Sequence, residues 1–197
     1  ISTIPSESHI YVTIALNEFN HSLPRFARVS AYARARATYV EARAVRAGPG
    51  TGKTWMAKQA VFTLADRLLR GAGANDGVRL VPIVVYVQRI VYLLRDPNAM
   101  NENKSHLLTR YIESVYSGKK MEAWQTMLMQ AYEMRALVVL LDGVDEAAGL
   151  RDQIEAFVHK EIVPSGNRVL VTSRPEGVNL ATYSKTFIVM NLNQLTN

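Results

Sequence analysis

The sequence has no cysteine. That excludes a disulfide scaffold and any thiolate-ligated metal site, and it fits a reducing compartment. Histidine is sparse. His9, His21, His106 and His159 are scattered, with no H-E-x-x-H or comparable pair, so a histidine metal site is not expected. No apolar run reaches the roughly 18 residues that a membrane-spanning helix needs. The stretch HIYVTIAL, residues 9–16, is short and has no basic flank. It reads as a buried strand or helix and not as a signal peptide. Without a secretion signal, the N-x-S sequons at Asn20 and Asn103 carry no weight. There is no internal repeat and no low-complexity tract. Together these absences make a cytoplasmic protein without a membrane span the expectation.

What is present is a foldable chain. Of 197 residues, 48% are hydrophobic and 20% charged, which suits one soluble domain with a sizeable core. The chain opens on Ile1 instead of methionine, as expected of a piece of a longer protein. The net charge of +6 is unevenly placed. The first 46 residues hold six arginines and three glutamates. All six arginines lie in RFARVSAYARARATYVEARAVR, from Arg25 to Arg46. A solvated helix or connector face accounts for them most simply. An acidic partner or nucleic acid is the sharper alternative, but no RNA-binding aromatic motif or zinc finger accompanies it, so nucleic acid is not the expected partner.

The chain then alternates between strand-like and helix-like stretches. ARAVRA, residues 42–47, alternates weakly and should feed the glycine loop that follows. It is a poor strand by composition, because Arg43 and Arg46 would sit awkwardly if fully buried. After the loop, apolar residues recur at Ala57, Val61, Leu64 and Leu68, which is helical spacing, and Gly71 is a natural stop. GAGANDG is a turn cluster. Val78 to Ile90 is a β-rich run with Pro82 near its start. Helices are expected over about 101–116 and 120–135, a central strand over 136–143, and a helix over 146–161. Further strands are expected over 168–175 and 185–192. Alternation of this kind predicts an α/β sandwich with a mostly parallel sheet, and such sheets place ligands at the carboxyl ends of their strands. The domain is expected to span 42–197, behind a basic lead-in over 1–41.

Three motifs fall at those ends. AGPGTGKT, residues 47–54, meets the phosphate-loop pattern. Its glycines let successive N–H groups curl toward phosphate oxygens, and the next helix aims its positive end at the same anion. The expected nucleotide contacts are Gly48, Pro49, Gly50, Thr51, Gly52, Lys53, Thr54 and Trp55. Lys53 would reach the β- and γ-phosphates, and the Thr54 hydroxyl would bind Mg²⁺. The plain alternative is a glycine-rich turn with a stray lysine. In LVVLLDGVDEA, residues 137–147, an apolar strand ends in Asp142, which offers a hard oxygen ligand to Mg²⁺. Asp145 and Glu146 follow, and one of them could polarise an attacking water. The alternative is acids capping the next helix. In RVLVTSRP, residues 168–175, Arg174 lies just past a strand, where a guanidinium can meet phosphate oxygens bidentately. The alternative is a surface arginine in a turn set by Pro175.

With these motifs in hand, the chain resembles the NACHT domains of the STAND class of P-loop NTPases, the NLR-like signalling switches. AGPGTGKT, LLDGVDEA and VTSRP carry the resemblance, over about 42–193. The DGVDE form is the most discriminating part, because Gly143 separates Asp142 from the acids. The resemblance implies a three-layer α/β sandwich with an ASCE-type strand order. It implies a phosphate loop at Gly50, Gly52, Lys53 and Thr54, and a magnesium aspartate at Asp142. The catalytic acid would be Asp145 or Glu146, and the first sensor Arg174. ATP or ADP with Mg²⁺ is the implied ligand, with GTP left open. The implied activity is slow hydrolysis in a switch that is closed with ADP and self-associating with ATP. A winged-helix module would begin after Asn197. The strand before the loop is more polar than that family usually has. Two other readings stay open: a nucleotide-binding scaffold with little turnover, and a P-loop ATPase acting on nucleic acid through the 25–46 segment.

Overall fold

A computed structural model describes residues 42–69, 80–95 and 106–192. The lead-in over 1–41, the apolar stretch 9–16, the arginines from Arg25 to Arg36, the GAGANDG turn with Gly71, and both sequons lie outside the described residues.

Five strands form one sheet: β1 (Ala42–Ala47), β2 (Val81–Tyr86), β3 (Leu137–Asp142), β4 (Arg168–Ser173) and β5 (Ile188–Leu192). Their order is β2-β3-β4-β1-β5, and every pairing is parallel. β4 therefore lies between the strand that feeds the glycine loop and the strand that ends in Asp142. This is the ASCE-type order that the resemblance implies, and the sheet matches a P-loop NTPase-like fold. All six residues of β3 and of β4 are buried, as strands covered on both faces must be.

The helices are α1 (Lys53–Leu69), α2 (Val87–Arg95), α3 (Leu107–Val115), α4 (Glu122–Glu133), α5 (Arg151–Ala156) and α6 (Leu180–Tyr183). Strand alternation sorts the core into two layers. Val138, Leu140, Leu170 and Val45 pack with Met56, Ala57, Ala60 and Leu64 of α1. Leu137, Val139, Leu141, Val169 and Val171 face the other way, against Leu108 and Ile112 of α3, Leu128 of α4 and Ile154 of α5. The result is a three-layer sandwich.

Two expectations need correction, and a third is met although its composition argued against it. The β-rich run over 78–90 is a strand only to Tyr86; from Val87 it is helix. Val87, Ile90 and Val91 are buried, at helical spacing, so a β-branched run gave way to packing in α2. The single helix expected over 146–161 is three pieces. A 3₁₀ segment covers Val144–Leu150, α5 follows, and a π segment runs over Phe157–Ile162, closed by Val163 N donating to Val158 O at 2.9 Å. Lastly, β1 is a full strand although Arg43 is only 2% exposed. Alternation puts Arg43 on the α1 side of the sheet with Val45.

Pro82 stands on β2, an edge strand, where a missing N–H is tolerated. The free side of β2 is closed by Tyr111. Its hydroxyl accepts from Tyr86 N at 3.3 Å and donates to Val84 O at 3.1 Å, which protects an edge that could otherwise pair with another chain. Burial pushes the Tyr111 phenol up.

At the amino end of the sheet, Asn167 is 2% exposed. Its Oδ1 accepts from Leu137 N at 3.0 Å, and its Nδ2 donates to Tyr132 O at 3.0 Å. One side chain thus joins the end of α4, the start of β3 and the entry to β4. Asn167→Ala should lower the unfolding free energy by roughly 1–3 kcal/mol, because it strands the buried N–H of Leu137; urea denaturation measures it.

His159 of the π segment packs edge-on to Tyr183 and Phe187, with centroids at 4.8 and 5.5 Å. Burial lowers its imidazole below the ordinary value, against a smaller upward pull from Glu155. As pH falls, the unfolded chain therefore takes up this proton first. The group's contribution is full above the unfolded value of about 6.5 and is lost below it, until the folded imidazole also protonates. The urea midpoint should fall between about pH 7 and pH 5, and His159→Gln should flatten that fall.

Candidate phosphate-loop site

The loop between β1 and α1 turns at Gly50 and Gly52, with φ of 73° and 85°, a region that side chains disfavour. Thr51 Oγ1 donates to Gly48 O at 2.7 Å and fixes the curl. Met56 N donates to Gly52 O at 2.8 Å. The N–H groups of Lys53, Thr54 and Trp55 stand ahead of that bond in the first turn of α1, as helix starts require. The Lys53 ammonium reaches back over the loop and donates to Ala47 O at 3.0 Å and Gly48 O at 3.1 Å. An ammonium has three N–H bonds, so one is left to meet an anion over the loop. Pro49 lies at the tip and Trp55 is 41% exposed.

Asp142 ends β3 and is 7% exposed. Alternation from Val138 and Leu140 turns its carboxylate to the α1 side. In register, Asp142 is level with Thr172, and Thr172 with Val45. Strands spaced about 4.8 Å apart put the Asp142 Cα about 10 Å from that of Val45, which lies just before Ala47, where the glycine loop begins. The Thr172 hydroxyl donates to Asp142 Oδ1. Gly143 N donates to Thr172 O at 3.2 Å and to Thr172 Oγ1 at 3.3 Å. The carboxylate is thus held by a wholly buried threonine.

The two following acids have different surroundings. Asp145 Oδ1 accepts from Arg174 N at 2.9 Å, and Asp145 Oδ2 meets Arg174 Nε at 3.1 Å. Asp145 and Arg174, expected separately as acid and sensor, are paired with each other across the ends of β3 and β4. The Asp145 side chain is 11% exposed and that of Arg174 49%. Glu146 is exposed and lies over Gly143: a Cβ built there would be 3.0 Å from Glu146 Cδ and 3.1 Å from Oε2. With φ of 83°, Gly143 ends the strand sharply and leaves room for this carboxyl beside Asp142. Arg46 Nη2 donates to Pro175 O at 3.3 Å, which ties β1 to the same turn.

The oxygen donors suit a hard divalent cation. Thr54 supplies a hydroxyl at the start of α1 and Asp142 a carboxylate. Among the described residues no group of three or more His, Asp or Glu could hold a metal unaided. A cation here would complete its shell from phosphate and water, as Mg²⁺ commonly does.

Thr172 and Gly177 were not among the residues singled out from the sequence. Thr172 stands in VTSRP, but its role depends on which strand lies beside β4. Gly177 is buried against the site: a Cβ there would lie 2.7 Å from Asp145 Cβ and 2.8 Å from its Cα.

No family model matches the chain, and no curated protein matches it. Among solved structures, that of C. elegans PCH-2 matches with a TM-score of 0.43 and 19% sequence identity, over 96% of this chain and 42% of that one. This chain thus spans less than half the length of that protein. Among the described residues, no helix is long and apolar enough to cross a membrane.

Gly177→Ala should push the Pro175–Gly177 turn away from Asp145 and cost about 1–3 kcal/mol. Gly149→Ala, with nothing within 4 Å of the new Cβ, should cost far less. Thermal unfolding of the two variants measures the difference.

Proposed function

We propose that this chain binds Mg²⁺–ATP between β1 and α1 and hydrolyses it slowly. The observation that carries the reading is the Lys53 ammonium held over the glycine loop by Ala47 O and Gly48 O, on the sheet face to which Asp142 turns. Lys53 and the first N–H groups of α1 would bind the β- and γ-phosphates. Thr54 and Asp142 would hold the Mg²⁺, which when bound neutralises charge on the phosphate oxygens. Thr172 would keep the Asp142 carboxylate aimed. Glu146 is the better acid to orient the attacking water, because Asp145 already has both oxygens on Arg174. Arg174 would sense the γ-phosphate with the two terminal nitrogens of its guanidinium.

The finer reading is a NACHT-type signalling switch in which ATP favours self-association. It is supported by Gly143 standing between Asp142 and the Asp145–Glu146 pair. Nothing in the described residues reads the base, so GTP belongs in the same test, with ADP beside it for the switch.

Titration calorimetry with Mg²⁺ and each nucleotide, on wild type and Lys53→Ala, tests the site. Binding should be lost in the variant; equal binding in both would refute the phosphate loop. Phosphate release should fall about 100-fold or more in Glu146→Gln with affinity kept within a few-fold, while Asp145→Asn should lose less. Binding without turnover in the wild type would point to a scaffold. Light scattering on the same samples, with ATP against ADP, tests self-association.

A further inference from the structure

Beyond the carboxyl end of the edge strand lies a groove of about 430 Å³, lined by Tyr86, Gln88, Arg89 and Tyr92. It is separate from the glycine loop: Tyr86 is level with Asp142, at the opposite side of the sheet from β1. Tyr86 is 40% exposed and Tyr92 71%. Gln88, Arg89 and Arg95 are exposed as well. α2, VQRIVYLLR, contains two arginines and no acid. Its inner face, Val87, Ile90 and Val91, is used up in the core, which turns Gln88, Arg89, Tyr92 and Arg95 outward. Asp142, one strand inward, is buried with its carboxylate on Thr172. Tyr111 bonds Tyr86 N and Val84 O, so the strand end that carries Tyr86 is fixed.

We propose that this groove binds single-stranded nucleic acid. Exposed tyrosines offer flat faces on which bases of any sequence can stack. Arg89 in the groove, and Arg95 past it at the end of α2, can meet phosphates, and Gln88 can bond a base edge. The chain's net charge of +6 has the sign that attracts such a strand. A glutamate-rich peptide would satisfy the arginines but has no flat groups for the two tyrosines. The inference does not rest on nucleotide binding at the glycine loop, so either can fail without the other.

Fluorescence anisotropy of a short labelled oligo(dT), at low salt and without nucleotide, tests it on the whole chain. Wild type should bind saturably. Tyr92→Ala should weaken binding roughly ten-fold, while Tyr92→Phe, which keeps the ring, should bind like wild type. Arg89→Gln should weaken binding and lower the salt slope by about one. Tyr92 is mostly exposed, so its truncation leaves the fold intact; circular dichroism checks this. No binding would overturn the proposal. So would equal binding by wild type and Tyr92→Ala, which would move the contact to other basic residues such as Arg34 and Arg36. Preference for a labelled poly-glutamate peptide, lost in Tyr92→Ala, would also overturn it and make the groove a peptide site.

Discussion

Parallel strands all end at one edge, because each connection must cross back before the next strand begins. That constraint builds the candidate site. Ala47, Tyr86, Asp142, Ser173 and Leu192 close their strands on the same side. The strand order then sets which ends are neighbours. With β4 between β1 and β3, the side chain closest to Asp142 across the ladder is Thr172, and the glycine loop opens one strand further on. Alternation adds the third coordinate: Asp142 and Thr172 both turn to the face covered by α1, the helix that starts with Lys53 and Thr54.

Three polar contacts tie that edge together. Thr172 holds Asp142, Asp145 holds Arg174 by main chain and side chain, and Arg46 reaches the carbonyl of Pro175. Two glycines make the arrangement possible. Gly143 turns the chain out of β3 and leaves space for the Glu146 carboxyl, and Gly177 lets the next turn lie against the backbone of Asp145. Within this network Glu146 keeps an exposed carboxylate, whereas Asp145 is committed to fixing the end of β4. Two acids adjacent in sequence are thereby given different work by their surroundings.

The opposite edge of the sheet is built for stability. Asn167 stitches α4, β3 and β4 together with three backbone and side-chain partners. On the far side of the core, His159, Tyr183 and Phe187 form an aromatic cluster that seals the π segment against the chain leading into β5. Burial pushes the Tyr183 phenol far up and the imidazole down, so both are kept neutral inside it. Edge strand β2 is guarded by the Tyr111 hydroxyl, whose two bonds occupy backbone groups that would otherwise face a second chain.

Much of this was legible in the sequence. Continuous apolar runs marked β3 and β4, since a strand covered on both faces must be apolar throughout. AGPGTGKT announced its own turn, because glycines at Gly50 and Gly52 serve a backbone that other residues resist. The alternation of strands and helices was enough to fix a parallel sheet. The tertiary structure alone decided the rest. A one-dimensional pattern cannot tell a β-branched strand from a β-branched buried helix, so Val87 to Ile90 went to α2 only when packing was known. Nor can it say that Arg43 has a place in the interior, or that Arg174 lies on Asp145 and Thr172 on Asp142. Those pairings join residues about thirty positions apart in sequence, and register between strands, set by the whole core, is what brings them within reach.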